Sequence, residues 1–246
     1  MTIKSFIGEK GSGKTLSMTI EAYKKYKQGH KIYSNYHLNF PHTIITVNDL
    51  IDFAESGMYF GETTFCLDEL HLWFNARRSG KQRNICFNFF LTQSSKNDCD
   101  VLYSTQYSRQ VDILIRINSE IVCKSLAKCV VWKTKDSKPI MKYNYRPKKT
   151  DYKCLSYINN TIIKFEEDRD VIVHQKFLGN KYFKLYNTRE VIKQQQDVFE
   201  IAKKQNPKEN KGVIKEKISY KQKREEQHNN RLFHEQNEAK LRGELS

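Results

Sequence analysis

A glycine-rich segment near the N-terminus constrains the fold of this chain more than any other part of the sequence. Residues 3–7 before it contain three apolar side chains and predict a short strand, whereas the run from Leu16 to Tyr26 predicts a helix. A strand, a tight glycine turn and a helix in this order place backbone N–H groups and a helix N-terminus around an anion. The segment itself consists of Gly8, Glu9, Lys10, Gly11, Ser12, Gly13, Lys14 and Thr15.

This segment matches the Walker A pattern, in which individual side chains have separate mechanical roles. Lys14 is positioned to reach the β- and γ-phosphates of a nucleoside triphosphate, and the Thr15 hydroxyl is positioned to bind Mg²⁺. A glycine-rich turn that precedes a helix by chance would not need the preceding strand. We therefore expect residues 8–15 to bind a nucleoside triphosphate together with Mg²⁺.

Positive charge is concentrated in two parts of the chain. The net charge is +15, yet residues 1–123 carry 14 basic and 12 acidic side chains and are almost neutral. Residues 124–153 carry 10 basic and 2 acidic side chains, and residues 201–246 carry 12 and 7. Such a distribution favours a separate polyanion-binding surface over a chain that is basic throughout.

Cysteine usage and hydropathy indicate a soluble intracellular protein. The six cysteines form no CxxC pair and no metal-ligand spacing, which argues against disulfides and zinc. The N-terminus shows no targeting peptide, and no apolar run approaches the roughly 18–20 residues that a membrane span requires. We expect a cytoplasmic location.

Strands alternate with helices through the first half of the chain, which predicts an α/β fold. The expected sheet is mostly parallel and is covered by helices on both faces, as in a P-loop NTPase core over residues 1–123. Asn48 is expected to cap the helix over residues 49–54. Further strands are predicted at 31–36, 43–47, 63–67, 101–106 and 120–123, and further helices at 84–96 and 111–117.

The sequence pattern changes after residue 123. Short alternating runs with turn signals at 136–139 and 178–181 predict appended β-hairpins, so that residues 124–192 form a basic extension of the core. The alternating runs lie at 130–134, 140–145, 161–165, 171–176 and 182–186. Residues 193–246 are rich in Gln, Lys, Glu and Asn, which predicts a polar tail that is helical or disordered.

Two adjacent carboxylates follow the apolar strand at residues 63–67. Asp68 is expected to hold Mg²⁺ and Glu69 to polarise the water that attacks the γ-phosphate, as in a Walker B motif of a hydrolase. An exposed Asp-Glu pair that opens a helix at its positive end would give the same two letters. The independent Walker A segment upstream favours the catalytic interpretation.

Five side chains are candidates for sensing or neutralising the γ-phosphate. Gln106 ends the next predicted strand and would lie between the Walker A and Walker B segments, although polar residues also end ordinary strands. An arginine from a neighbouring subunit would complete the site. Arg78 and Arg116 are the preferred candidates, with Arg77 and Arg83 behind them; a solvated loop or a helix cap would explain the same residues.

Residues 124–153 interleave cations with aromatic rings, which is typical of a nucleic-acid contact. A hairpin with one solvated lysine-rich face would also fit, since edge strands often carry Lys. No base-reading motif is present, so we expect contacts with the nucleic-acid backbone only. The candidate contact residues are Lys133, Lys135, Lys138, Lys142, Arg146, Lys148 and Lys149.

Three segments in order resemble the HerA/FtsK superfamily of P-loop ATPases. These are the Walker A segment, the run Leu67-Asp68-Glu69-Leu70-His71-Leu72-Trp73-Phe74, and Tyr103-Ser104-Thr105-Gln106. Within the superfamily the chain resembles viral genome-packaging ATPases and zonular occludens toxin-like phage assembly proteins over residues 1–125. The resemblance implies an ASCE (RecA-like) core, ATP as the nucleotide, catalytic sites between subunits of a ring, and double-stranded DNA as the substrate. It places the sensor at Gln106 and the trans arginine at Arg78 or Arg116.

The resemblance implies an ATP-hydrolysing motor that translocates double-stranded DNA, in the first instance to package a viral genome, with a capsid or portal protein as partner. A viral protein of this kind is expected in the cytoplasm of the host cell, in association with the capsid. Toxin-like members usually carry a transmembrane segment, and the absence of one here favours packaging over membrane-bound extrusion. Phage assembly and extrusion stay open as the alternative. A P-loop nucleotide kinase is a further alternative, although it would not need Glu69. A GTPase would carry a guanine-reading motif, which the sequence lacks.

Overall fold

One mixed sheet organises the chain in the computed structural model, which describes residues 2–56, 60–78, 82–93, 96, 98–166 and 169–187. Within these residues nine strands form the sheet, in the order β3-β2-β4-β5-β1-β6-β8-β9, and β7 pairs with β6 outside this path. The strands are β1 (Ile3–Ile7), β2 (Lys31–Ser34), β3 (Thr43–Ile44), β4 (Thr63–Leu67), β5 (Cys99–Thr105), β6 (Ile121–Trp132), β7 (Ile140–Tyr143), β8 (Lys153–Lys164) and β9 (Val171–Leu178).

The strands from β3 to β6 along this order pair in parallel, and β6 pairs with β7 and β8 in antiparallel fashion, as β8 does with β9. β5 lies between β1, which precedes the Walker A segment, and β4, which precedes Asp68. Parallel strands end at the same edge of a sheet, so the three strand ends meet there. The predicted α/β P-loop NTPase fold with a mostly parallel core is confirmed.

Helices cover both faces of the parallel core, because successive strand residues point to opposite faces. On one face, Phe6 of β1 packs in a cluster with Met18 of α1 (Lys14–Lys27). On the other face, Ile3 of β1 packs in a cluster with residues of three helices. These are α2 (Val47–Ser56), α3 (Gln82–Gln93) and α4 (Ile113–Ile117).

Two local predictions need correction. α2 begins at Val47, and its cap is Thr46, because the Thr46 hydroxyl accepts from the Asp49 N–H while the Asp49 carboxylate accepts from the Thr46 N–H at 2.7 Å. This capping box replaces the predicted cap at Asn48. Residues 182–186 were expected to form a strand, but short helical turns occupy 179–181 and 183–185. Leu185 is buried there, and the neighbouring aromatic rings pack beside Leu16 of α1.

The antiparallel part of the sheet continues directly from the parallel part. β6 pairs with β1 through Ile121 to Lys124 and then continues to Trp132. The turn at 136–139 follows and leads into β7, which pairs back onto β6. The predicted domain boundary after residue 123 falls inside this strand, and the division into core and extension stays a prediction. The predicted tail, residues 193–246, lies outside the described residues.

Candidate nucleotide-hydrolysis site

The Walker A segment forms a tight loop between β1 and α1. Gly11 and Gly13 have φ values of 84° and 90°, which L side chains rarely adopt, so glycine is required at both positions. The Ser12 N–H donates to the Glu9 carbonyl at 3.1 Å and closes the turn. α1 begins at Lys14, immediately after the loop, so the free N–H groups of its first turn face the place where the prediction puts the phosphates.

Thr15 and Asp68, the two predicted Mg²⁺ ligands, are brought together across 53 residues of sequence. The Thr15 hydroxyl donates to Asp68 Oδ1 at 2.9 Å. The Ser104 hydroxyl of β5 also donates to Asp68 Oδ1. Asn35 fixes the backbone beneath the carboxylate, because its side chain accepts from the Asp68 N–H at 2.7 Å and donates to the Asp68 carbonyl at 2.9 Å.

Burial raises the pKa of Asp68 above its ordinary value, and the nearby Glu69 acts in the same direction. Hydrogen bonds from Ser104 and Thr15 and the charge of Lys14 oppose this shift without cancelling it. The Asp68 carboxylate and the Thr15 hydroxyl offer two oxygen ligands side by side. The raised pKa of Asp68 shows that the surrounding protein does not fully balance the negative charge of its carboxylate. The donor set therefore fits Mg²⁺, which prefers a few protein oxygens together with phosphate oxygens and water.

Glu69 lies beside the Walker A lysine. Its Oε1 is 2.9 Å from Lys14 Nζ, and both side chains are largely shielded from solvent. Its backbone is in the left-handed region with φ 49°, and its N–H donates to the Ser104 hydroxyl at 3.1 Å. His71 Nδ1 lies 3.5 Å from Glu69 Oε2 and 3.4 Å from the Thr105 hydroxyl. Burial lowers the pKa of His71, which favours its neutral form.

The remaining predicted catalytic residues are Gln106, Arg116 and Arg78. Gln106 directly follows β5, the strand between β1 and β4, and is half-buried. Arg116 lies on α4, where it is half-buried and close enough to the Tyr103 hydroxyl to lower that group's burial-raised pKa. The side chain of Arg78 lies outside the described part of the chain. A role for either arginine in a neighbouring subunit stays a prediction.

The seven predicted nucleic-acid contacts fall into three groups. Lys133 forms an ion pair with Asp151, which also accepts from the Tyr145 hydroxyl and the Lys148 N–H. Arg146 lies beside the Walker A loop on the wall of a cavity. The other five lie along the β6–β7 hairpin and the connection from β7 to β8, and all except the half-buried Lys142 are exposed. They are Lys135, Lys138, Lys142, Lys148 and Lys149.

Sequence reasoning missed four residues that build this site, namely Asn35, His71, Ser104 and Asn144. Ser104 was within reach, because it precedes the predicted sensor by two positions and therefore points the same way along the strand. Asn35 follows β2, whose carboxyl end lies beside that of β4. His71 and Asn144 gave no sequence signal, because their roles depend on contacts made by the folded chain.

The chain is similar to a protein family and to several solved structures. The family model described as zonular occludens toxin (Zot) matches residues 2–189. A solved N-terminal domain of zonular occludens toxin from Neisseria meningitidis is 19% identical, with a TM-score of 0.48, and the match covers 76% of this chain and 98% of that one. The genome packaging NTPase B204 from Sulfolobus turreted icosahedral virus 2, solved with ATP-gammaS, is 12% identical, with a TM-score of 0.41 and coverage of 70% and 95%.

No curated protein matches the chain in sequence. Among the described residues, no helix combines the length and apolar character needed to cross a membrane. The match to the family model extends over well more than half of the chain and includes the Walker A loop, Asp68, Glu69 and Gln106. The chain therefore belongs to the zonular occludens toxin family.

Proposed function

We propose that this protein is an ATP-hydrolysing motor that moves double-stranded DNA during the assembly of a phage or viral particle. The single observation that carries the ATPase assignment is the 2.9 Å contact between the Thr15 hydroxyl and Asp68, with Glu69 next to it and paired with Lys14. A hydroxyl, two carboxylates and a lysine in this arrangement are the set that phosphoryl transfer to water requires. The DNA assignment is supported by the charge concentrated in residues 124–153.

The geometry gives Lys14 and Glu69 distinct tasks. Lys14 Nζ would leave its pair with Glu69 to bind the β- and γ-phosphate oxygens. The released Glu69 carboxylate would orient a water molecule and accept its proton. Mg²⁺, when held by Thr15 and Asp68, would supply positive charge against the β- and γ-phosphate oxygens. The ion pair at 2.9 Å therefore keeps the catalytic base occupied until a triphosphate displaces it.

The proposal includes a homo-oligomer, with a ring as the expected form, in which a neighbouring subunit supplies Arg78 or Arg116. It also includes a capsid or portal protein as the partner that receives the DNA. Membership of the zonular occludens toxin family favours a second candidate, extrusion of a phage genome during assembly. Both candidates need the same hydrolysis site, and they differ in the partner and in the form of DNA that is moved.

The test is steady-state ATPase activity of the purified chain with long double-stranded DNA, with single-stranded DNA and without DNA. We expect stimulation by double-stranded DNA, and we expect Glu69→Gln to reduce turnover at least about 100-fold while ATP binding is retained. Stimulation by single-stranded DNA alone would favour extrusion. Equal rates with and without either DNA would contradict the motor, and unchanged turnover in Glu69→Gln would remove Glu69 from the mechanism.

A further inference from the structure

A cavity of about 400 Å³ adjoins the Walker A loop on the side of the antiparallel strands. Residues 13–15 of the loop form one wall, and the opposite wall comes from the β7–β8 connection, β8 and the turns after β9. This volume is within the range of sites that bind small molecules. The side chains that define it are Leu16, Tyr145, Arg146, Ile158, Phe183 and Tyr186.

Asn144 holds the second wall against the loop. Its N–H donates to the Ala127 carbonyl at 2.8 Å, and its side-chain oxygen accepts from the Ala127 N–H at 3.1 Å, with its backbone at φ 49°. Its side-chain amide then reaches across to Glu9 Oε2 at 3.1 Å. Its carbonyl oxygen lies so close to Gly11 that an added Cβ there would be 2.4 Å away. The connection that follows Asn144 is therefore fixed above the phosphate-binding loop.

The walls of the cavity are apolar and aromatic, with one guanidinium among them. Ile158 packs so closely on Gly13 that an added Cβ there would lie 2.6 Å from its Cδ1. The Tyr186 ring contacts Tyr36 edge-on, with centroids 6.0 Å apart, and the charge of Arg146 is close enough to oppose the burial that raises the pKa of Tyr186. Flat apolar walls and a planar cation suit a base and sugar.

We propose that this cavity binds the nucleoside half of the nucleoside triphosphate, with Arg146 stacking on the base, and this rests on the proposed binding of the triphosphate by the Walker A loop. A guanidinium stacks on aromatic rings with less loss of hydration than an ammonium. The segment from Asn144 to Pro147 then belongs to the nucleotide site. Among the basic residues of 124–153, Arg146 recognises nucleotide and the exposed lysines are left for DNA.

The test measures binding of ATP and of inorganic tripolyphosphate, each with Mg²⁺, to the full-length chain by calorimetry. Arg146→Ala should weaken ATP binding about 10-fold, because the substitution removes the guanidinium that stacks on the base. Tripolyphosphate binding should change less than about 2-fold, because it occupies the Walker A loop only. Arg146→Lys keeps the charge without the planar group and should not restore ATP binding. Lys149→Ala removes an exposed charge from the same stretch and should alter neither ligand.

Three results would overturn the assignment. Equal weakening of ATP and tripolyphosphate in Arg146→Ala would place the guanidinium on the phosphates. Unchanged binding of both would remove Arg146 from the nucleotide site. If the unmodified chain binds neither ligand, the Walker A loop is not a triphosphate site, and the proposed function fails with this inference. If the unmodified chain binds both ligands and Arg146→Ala binds each of them with the same affinity as the unmodified chain, only this inference is overturned and the proposed function stands.

Discussion

At the residue scale, the chemistry of the site depends on which partner Lys14 holds. Its ammonium group lies 2.9 Å from Glu69, and only 7% of its side chain is accessible to solvent. A lysine so enclosed needs an anion, and a triphosphate offers several where Glu69 offers one. The proposed function therefore couples entry of the nucleotide to release of Glu69 through a single ammonium group.

Asp68→Asn is expected to stabilise the nucleotide-free fold while abolishing Mg²⁺-dependent hydrolysis. The asparagine oxygen keeps both hydrogen bonds, from Thr15 and Ser104, and the substitution removes a buried negative charge. We expect a gain of about 1 kcal/mol, or about 2–4 °C in Tm for a chain of this size. Thermal unfolding without nucleotide and Mg²⁺ gives the stability, and the ATPase assay gives the loss of function.

The difference in Tm between Asp68→Asn and the unmodified chain should depend on pH in one direction. The pKa of Asp68 is higher in the folded than in the unfolded chain, so folding takes up a proton as the pH falls toward the raised value. The unmodified chain therefore gains stability as the pH falls toward the raised pKa of Asp68, and the difference in Tm narrows in that direction. A difference that widens as pH falls would contradict the burial argument.

At the scale of elements, the β7–β8 connection combines a backbone held by hydrogen bonds with exposed lysine side chains. Asp151 binds Lys133, Tyr145 and the Lys148 N–H, so the loop is held by groups other than the side chains of Lys148 and Lys149. Both side chains are exposed and can meet phosphates without disturbing the fold. Lys133 cannot bind a phosphate without such a disturbance, because its ion pair with Asp151 holds the loop together.

Reversing the charge of Lys148 and Lys149 together should weaken double-stranded DNA binding and lower the slope of log K against log salt concentration by about 2. The measurement is a salt titration of DNA affinity by fluorescence anisotropy. The double variant should bind ATP with unchanged affinity, because both side chains lie away from the nucleotide cavity. An unchanged salt slope would show that this stretch is only a solvated surface.

At the scale of the whole molecule, a site shared between subunits predicts complementation. Lys14→Ala disables the loop of its own subunit, whereas Arg116→Ala would disable the site of its neighbour. Mixed in equal amounts, the two inactive variants should recover about a quarter of the interfaces, since random assembly pairs an intact loop with an intact arginine at that frequency. ATPase activity of the mixture above that of either variant alone would show this recovery.

The same mixing experiment with Arg78→Ala decides between the two candidate arginines. Recovery with one variant and none with the other identifies the residue that acts in trans. A variant that retains full activity by itself excludes its arginine from the site. Recovery with neither, when both variants are inactive, would mean that each arginine acts within its own subunit.

The fold, and which residues the candidate hydrolysis site brings together, were largely predictable from sequence. The glycine loop, the buried strand ending at Asp68 and the strand ending before Gln106 are local signals, because strand ends and tight turns depend on neighbouring residues. β8 was missed over much of its length, since Asn159 and Asn160 suggest a turn. Asn160 is tolerated inside the strand because its buried side chain exchanges hydrogen bonds with Ser17 of α1 and accepts one from Ser125 of β6.

By itself the sequence determined the α/β core, the phosphate-binding loop and the two adjacent carboxylates, because each depends on residues that are close along the chain. Only the tertiary structure decided the ion pair between Lys14 and Glu69, the support of Asp68 by Ser104 and Asn35, and the placement of Arg146 beside the loop. These contacts join residues that are far apart in sequence. Their geometry follows from strand order and from Asn144 anchoring the antiparallel strands on the loop, which no local pattern of residues encodes.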